Sequence, residues 1–182
     1  MSTLSTSGSL PEGARYQVEV PEDWNGILLL YSLPIPVEPG QPPWPPEDAL
    51  IGNLTGQGYA VAGAANTIFW PLESSLSNLS ALVDAFIAAA GTPRITISMG
   101  LSIGGLITAG IVERKTGLLS GALPLCANLA GAVAIHNREL DIAFVVKTLL
   151  APDSDLAIVN IAEPSANLET AAAILAEAQK TP

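Results

Sequence analysis

The sequence predicts an α/β fold in which parallel strands alternate with helices. Ile27-Leu28-Leu29-Leu30-Tyr31 is a continuous apolar run of strand length, which is typical of a strand buried on both faces. Strand-like and helix-like patterns then alternate along residues 59–126, as in a parallel sheet with helices on both faces. A glycine-flanked serine, Ser102, stands between one such strand and the helix after it.

Each element before the serine follows from its own pattern. Alternating apolar and polar residues predict an edge strand at 16–20, and the apolar run predicts a central strand at 27–31. Seven prolines within residues 34–46 exclude regular structure there, and a helix is expected from about 47 to 55. A short strand is expected at 59–62. Apolar residues recur at three- and four-residue steps along 74–90, which predicts an amphipathic helix.

The pattern after this helix is strand, helix, strand and then helices alone. Residues 95–99 are predicted as a strand, the segment from Ile103 to about Arg114 as a helix, and 122–126 as a further short strand. Helices are expected at 140–150 and 168–178. Residues 157–161 fit either a strand or an extended segment.

The run Gly100-Leu101-Ser102-Ile103-Gly104 carries the clearest chemical signal. Glycines flank a serine in this way where strand and helix approach closely and the hydroxyl is held at the edge of the sheet. A serine hydroxyl needs a general base, usually a histidine, to act as a nucleophile. The only histidine in the chain is His136. The sequence therefore indicates part of a serine hydrolase, with Ser102 as its candidate catalytic residue.

Composition limits the partners that the chain can have. Hydrophobic residues make up 49% and charged residues 13% of its 182 residues, so we expect a surface that is partly alanine, glycine and proline and partly covered by another polypeptide. The net charge of −10, with 7 lysines and arginines, argues against binding to nucleic acid. The single cysteine, Cys126, excludes an internal disulfide and is interpreted as a small buried apolar residue.

The sequence shows neither a membrane span nor an export signal. No run approaches the roughly 18 consecutive apolar residues that a spanning helix needs. The first ten residues are rich in serine and threonine and have neither a basic start nor an apolar core. We therefore expect a cytoplasmic protein.

Four segments together resemble bacterial α/β-hydrolase-fold serine esterases and peptidases: residues 20–31, 58–63, 100–105 and 121–126. The resemblance implies that residues 1–126 form the N-terminal part of that core and residues 127–182 a helical lid or cap. It also implies that the backbone N–H groups of Ile103 and Ile35 stabilise an oxyanion. It further implies an acyl substrate and no metal or organic cofactor, and the aromatic residues described below indicate that this substrate is small and apolar.

In this family the acid and the histidine ordinarily follow the serine in the chain. The resemblance therefore implies a second polypeptide that carries the C-terminal half of the fold, with the histidine and the acid. A separate gene product, a cleaved precursor and a truncation are all compatible with it. His136 is the rival base, although a mobile lid is a poor place to hold a base in fixed geometry. Three carboxylates are interpreted as solvated lid residues rather than as the acid: Asp141, Asp153 and Asp155.

The chain departs from the family pattern at two places. Many relatives carry His-Gly where this chain has Leu33-Pro34, and proline lacks an N–H, so the oxyanion loop must follow a different path. The residue before the serine is often histidine in relatives and is Leu101 here, which makes the pocket floor more apolar. These changes leave open a lyase, cyclase or isomerase acting on an apolar metabolite. A non-catalytic binding subunit follows if no base approaches Ser102.

Aromatic residues near the ends of the predicted strands are candidates for the pocket lining. Loops beyond the carboxyl ends of parallel strands line the ligand crevice in such sheets. Ordinary packing is the alternative interpretation, and we favour it for the last of the four candidates: Trp44, Phe69, Trp70 and Phe144.

Overall fold

Within residues 2–68, 70–114 and 116–180, which the computed structural model describes, six strands form one sheet. The strands are β1 (Ser2–Ser9), β2 (Arg15–Pro21), β3 (Ile27–Ser32), β4 (Ala60–Ala64), β5 (Ile95–Leu101) and β6 (Gly121–Leu125). Their order is β1-β2-β4-β3-β5-β6. The four strands from β4 to β6 in this order are mutually parallel, whereas β1 and β2 are antiparallel to their neighbours.

The described residues form five α-helices, and the first three of them pack on the two faces of the sheet. They are α1 (Ala49–Gly56), α2 (Leu72–Ala90), α3 (Ile103–Arg114), α4 (Gly131–Leu150) and α5 (Pro164–Ala178). One apolar core joins β2, β3 and β4 to α2 and α3, with Phe86 and Ile107 among its most buried members. A smaller core on the opposite face includes Leu29, Val61 and Ile51 of α1. Alternate residues of β3 and β4 enter the two cores, as the pleat of a sheet requires.

The chain divides into two units, Met1–Leu129 and Ala130–Pro182. The first contains the whole sheet with α1, α2 and α3, and the second contains α4 and α5. In the second unit Asn167 bonds both the N–H and the carbonyl of Ala157, at 2.8 and 2.9 Å. The Asn167 amide thus pairs with the backbone groups of Ala157 that a neighbouring strand would otherwise pair with. The segment 157–161 forms neither a strand nor a helix.

The elements predicted inside the first unit are present within a few residues of the expected bounds. The edge position expected for 16–20 is wrong, because β1 pairs with the outer side of β2. Serine and threonine dominate β1 and left no apolar run to indicate a strand. Similarly, α4 begins at Gly131, well before the predicted helix, because its first turns lack a regular apolar stripe.

Candidate active site

Ser102 joins β5 to α3 in a left-handed backbone conformation, with a φ of 57°. Non-glycine residues seldom adopt this conformation, which costs about 1–3 kcal/mol and is found preferentially at functional sites. Two hydrogen bonds hold the turn: Ser102 N–H donates to the Leu125 carbonyl at 2.9 Å, and Leu106 N–H donates to the Ser102 carbonyl at 3.2 Å. The sharp turn between strand and helix that the sequence predicts is therefore present.

Glycines around Ser102 allow the strand, the helix and a neighbouring loop to touch. A Cβ atom on Gly100 would overlap the backbone of Gly104, which lies in the first turn of the helix. A Cβ atom on Gly104 would in turn overlap the carbonyl oxygen of Ser32 and lie 2.9 Å from that of Leu33. The chain leaving β3 therefore runs directly against the first turn of α3, beside the serine.

The first turn of α3 is suited to stabilising negative charge. Ile103 is the first residue of the helix, where backbone N–H groups lack carbonyl partners within the helix and the helix dipole is positive. Ile35 lies three residues beyond Ser32, and its side chain is 64% exposed. Val37 N–H donates to the Asn66 carbonyl at 2.7 Å and so ties this loop to the segment after β4. The oxyanion role of Ile103 and Ile35 remains a prediction.

Tyr31 precedes this loop and is half-buried. Burial, and secondarily the negative charge of Asp48, raise the pKa of the Tyr31 phenol above its usual value. The phenol therefore stays neutral at physiological pH and is unsuited to act as a base. Its ring lies 6.2 Å from that of Trp44, between ring centres, in the core on the α1 face.

The four aromatic candidates occupy different surroundings. Trp44 is 4% exposed and packs in the α1-face core. Trp70 has a φ of 58° in the segment between β4 and α2. Phe144 is 55% exposed on α4, in the second unit, and Phe69 lies outside the described residues. A role for any of them in lining a pocket stays a prediction.

The histidine and the serine lie in different units. His136 is on α4, with its Nδ1 atom 3.2 Å from a carboxylate oxygen of Glu139. The first unit, which contains Ser102, has no histidine in its sequence. The three carboxylates interpreted as solvated are all exposed: Asp141, Asp153 and Asp155.

Cys126 is exposed, so the expectation that it is a buried apolar residue is wrong. The cause is the position of β6, all five residues of which are exposed at the end of the sheet. Leu123 and Leu125 are 48% and 38% exposed, and Leu101, which pairs with Leu125, is 41% exposed. We call these three leucines the β6 patch. The sequence predicted the strand but not this exposed apolar surface.

Neither a metal-binding cluster nor a membrane-spanning helix is found among the described residues. Among them, no three or more histidine, cysteine, aspartate or glutamate side chains cluster closely enough to hold a metal ion. None of their helices combines the length and the apolar character needed to cross a membrane.

Sequence reasoning missed two asparagines near the carboxyl edge of the sheet. Asn66 follows β4, and Asn78 lies on the buried side of α2 with 7% of its surface exposed. Both line a small cavity of about 30 Å³ that also reaches Ser32. The sequence does give a signal for Asn78, because this asparagine lies among the apolar residues of the helix predicted at 74–90.

Comparison with known proteins gives one curated relative. No family model matches the chain. The o-phthalyl amidase of Xanthobacter agilis is 29% identical to it over 167 residues, which are 85% of this chain and 35% of that protein. The chain thus spans about a third of the length of this relative.

Solved esterase structures are similar to the chain in fold. The esterase LipA of Xanthomonas oryzae superposes with a TM-score of 0.51 and 20% identity, covering 75% of this chain and 43% of LipA. A thermostable esterase gives a TM-score of 0.50 and 17% identity, covering 94% of this chain and 51% of that esterase. These likenesses show that the chain has the α/β-hydrolase fold, and they confirm the predicted fold class.

Proposed function

We propose that Ser102 is the nucleophile of a hydrolase that cleaves esters or related acyl compounds. The observation that carries the proposal is the strained left-handed conformation of Ser102, held between β6 and α3 at the end of a parallel strand. The similar amidase and esterases, all hydrolases by name, favour the same reaction class.

The proposed reaction has two halves. The Ser102 hydroxyl attacks the acyl carbon while a histidine takes its proton, and the histidine then protonates the leaving alcohol or amine. Water next attacks the acyl-enzyme, with the same histidine as base, and releases the acid. The Ile103 and Ile35 N–H groups stabilise the negative oxygen of both tetrahedral intermediates. The reaction uses no metal or organic cofactor.

A second polypeptide segment supplies the histidine and the acid. Supporting this, the unit that contains Ser102 has no histidine in its sequence. The outer edge of β6 is unpaired among the described residues, and the β6 patch beside it is apolar. A parallel strand added there would end at the same edge of the sheet as Ser102, where the base is needed. The working enzyme is then a heteromer, and we place it in the cytoplasm.

Residues 127–182 serve as the lid over a small apolar acyl substrate. Neither α4 nor α5 buries a residue fully, although α4 carries several apolar side chains such as Phe144. A helix pair with exposed apolar side chains is suited to closing over an apolar ligand. The candidate residues that contact the substrate are Phe144 and Trp70, with Phe69 and Trp44 as further candidates in the first unit.

Ester hydrolysis tests the proposal. The protein purified together with its companion segment is assayed with p-nitrophenyl acetate, alongside the variants Ser102→Ala and Ser165→Ala. We expect Ser102→Ala to lower kcat/KM by about a thousandfold or more. Ser165 is an exposed serine on α5, and its substitution should leave the rate unchanged. Turnover that survives Ser102→Ala would contradict the proposed role.

A further inference from the structure

The loop that follows β3 is fastened at both of its ends, and we call its residues 33–37 the β3 loop. At its start Leu33 is 6% exposed, and the Leu33 carbonyl approaches Gly104 in the first turn of α3. At its end the Val37 N–H donates to the Asn66 carbonyl at 2.7 Å. Only three residues, 34–36, lie between these two fixed points.

Ile35 carries the one backbone N–H group of these three residues, because Pro34 and Pro36 have none. The Ile35 N–H makes no hydrogen bond to any residue that the structure describes. The two prolines fix the backbone angle φ on either side of Ile35 and so stiffen the segment. The β3 loop therefore offers one unused donor on a stiff segment, close to the first turn of α3.

Asn66 connects the β3 loop to α2. Its side-chain Oδ1 atom accepts from Ser75 Oγ at 3.1 Å, and Ser75 is the fourth residue of α2. The same asparagine thus accepts from the helix with its side chain and from Val37 with its backbone. Asn66 and Ser75 also line the small cavity that reaches Ser32, the residue before the loop. The side chain of Asn66 is therefore suited to fixing where the loop ends.

We propose that Asn66 is a positioning residue of the active site: anchored by Ser75, it holds the β3 loop so that the Ile35 N–H donates to the oxygen of the tetrahedral intermediate. The inference rests on the proposed function, in which Ile35 and Ile103 are the oxyanion donors. Such a donor is effective only if it is already in place when the negative charge develops, since moving it into place offsets part of the stabilisation. Asn66 acts in this way from a distance, without contacting the substrate.

Amide hydrogen exchange on the full chain tests the anchor without any reaction. The Val37 amide should exchange slowly in the unaltered chain, because its hydrogen is donated to the Asn66 carbonyl. Asn66→Leu and Ser75→Ala should each speed this exchange about tenfold, since the accepting carbonyl is no longer fixed from α2. Ser74 is the matched control, because its hydroxyl donates to the Pro71 carbonyl at the start of the same helix. Ser74→Ala should leave the exchange unchanged.

Catalysis by the assembly with the second polypeptide tests the positioning role. The substrates are p-nitrophenyl acetate and p-nitrophenyl thionoacetate, whose C=S sulfur is a weak hydrogen-bond acceptor. Asn66→Leu should lower kcat/KM for the acetate about tenfold and leave that for the thionoacetate unchanged, so the ratio of the two falls about tenfold. A loss of folded enzyme would instead lower both values equally. Asn66→Asp keeps an acceptor for Ser75 and should retain the ratio of the unaltered assembly.

Two results would overturn the inference alone. One is a Val37 amide that exchanges in the unaltered chain as fast as a fully exposed amide. The other is hydrolysis that requires Ser102 but keeps the same ratio of acetate to thionoacetate in Asn66→Leu. If the unaltered assembly shows no hydrolysis that depends on Ser102, the proposed function is contradicted and the positioning role falls with it, whatever the exchange of Val37.

Discussion

The absence of a side chain at Gly104 determines what lies beside Ser102. It lets the carbonyls of Ser32 and Leu33 approach the first turn of α3, and this contact places the loop after β3 beside the nucleophile. The proposed oxyanion site needs both the loop and the helix, so its geometry depends on the absence of a side chain at this position.

Gly104→Ala is therefore expected to destabilise the chain. Overpacking at a tight contact costs about 1–3 kcal/mol, which exceeds the gain in helix propensity from replacing glycine with alanine. Gly52 is the matched control, because it is a helical glycine in α1 with open space where its Cβ would lie. Gly52→Ala should raise the free energy of unfolding by about 0.5–1 kcal/mol. Urea unfolding of both variants measures this, and equal stabilisation by the two substitutions would contradict the contact.

The turn at Ser102 was predictable from the sequence, but the small cavity that Asn66 and Asn78 line was not. The glycines that flank the serine indicate a close approach of strand and helix whatever the rest of the fold, so the local motif was sufficient to predict the turn. The place of Asn66 and Asn78 beside this cavity depends on how α2 packs on the sheet, which no local pattern in the sequence indicates.

At the scale of elements, β6 is the strand on which the proposed assembly depends. Leu123 is 48% exposed on β6 and belongs to the β6 patch. Leu123→Asp should prevent the second polypeptide from covering the patch, since a buried unpaired carboxylate is costly. The stability of the isolated chain should change by less than about 0.5 kcal/mol, because the site is already exposed.

Co-purification measures this effect. We expect the purified Leu123→Asp variant to carry with it much less of the second polypeptide, the companion, than the unaltered chain does. Leu118→Asp is the matched control, since Leu118 is 39% exposed in the 3₁₀ turn Thr116–Leu118 and does not belong to the β6 patch. Full recovery of the companion with Leu123→Asp would show that it does not dock on this strand.

Most individual elements could be predicted because each has a local period of hydrophobicity or a clear terminator. Strand order could not be predicted in this way, since pairing depends on distant segments. The strand β1 shows the limit: its serines and threonines have no apolar period, and it forms because β2 offers an unpaired edge. Its presence also moves β2 from the edge to an inner position.

At the scale of the whole molecule, the account requires that the chain works with residues from outside it. Cys126 can report this, because it is the single cysteine, is exposed and follows β6 directly. Maleimide should modify it rapidly in the isolated chain and slowly in the native assembly, where the companion covers β6. Intact-mass analysis follows both the modification and the second polypeptide. Equal rates in the two samples would contradict coverage of this edge.

Labelling by a fluorophosphonate tests the central claim most directly. An activated serine attacks the phosphorus and expels fluoride, which leaves a stable adduct whose position tandem mass spectrometry can locate. In the assembly with the second polypeptide, we predict one adduct on Ser102, lost in Ser102→Ala and retained in His136→Gln. An assembly that remains unlabelled, or that carries its adduct on another residue, would contradict the assignment of Ser102 as the nucleophile.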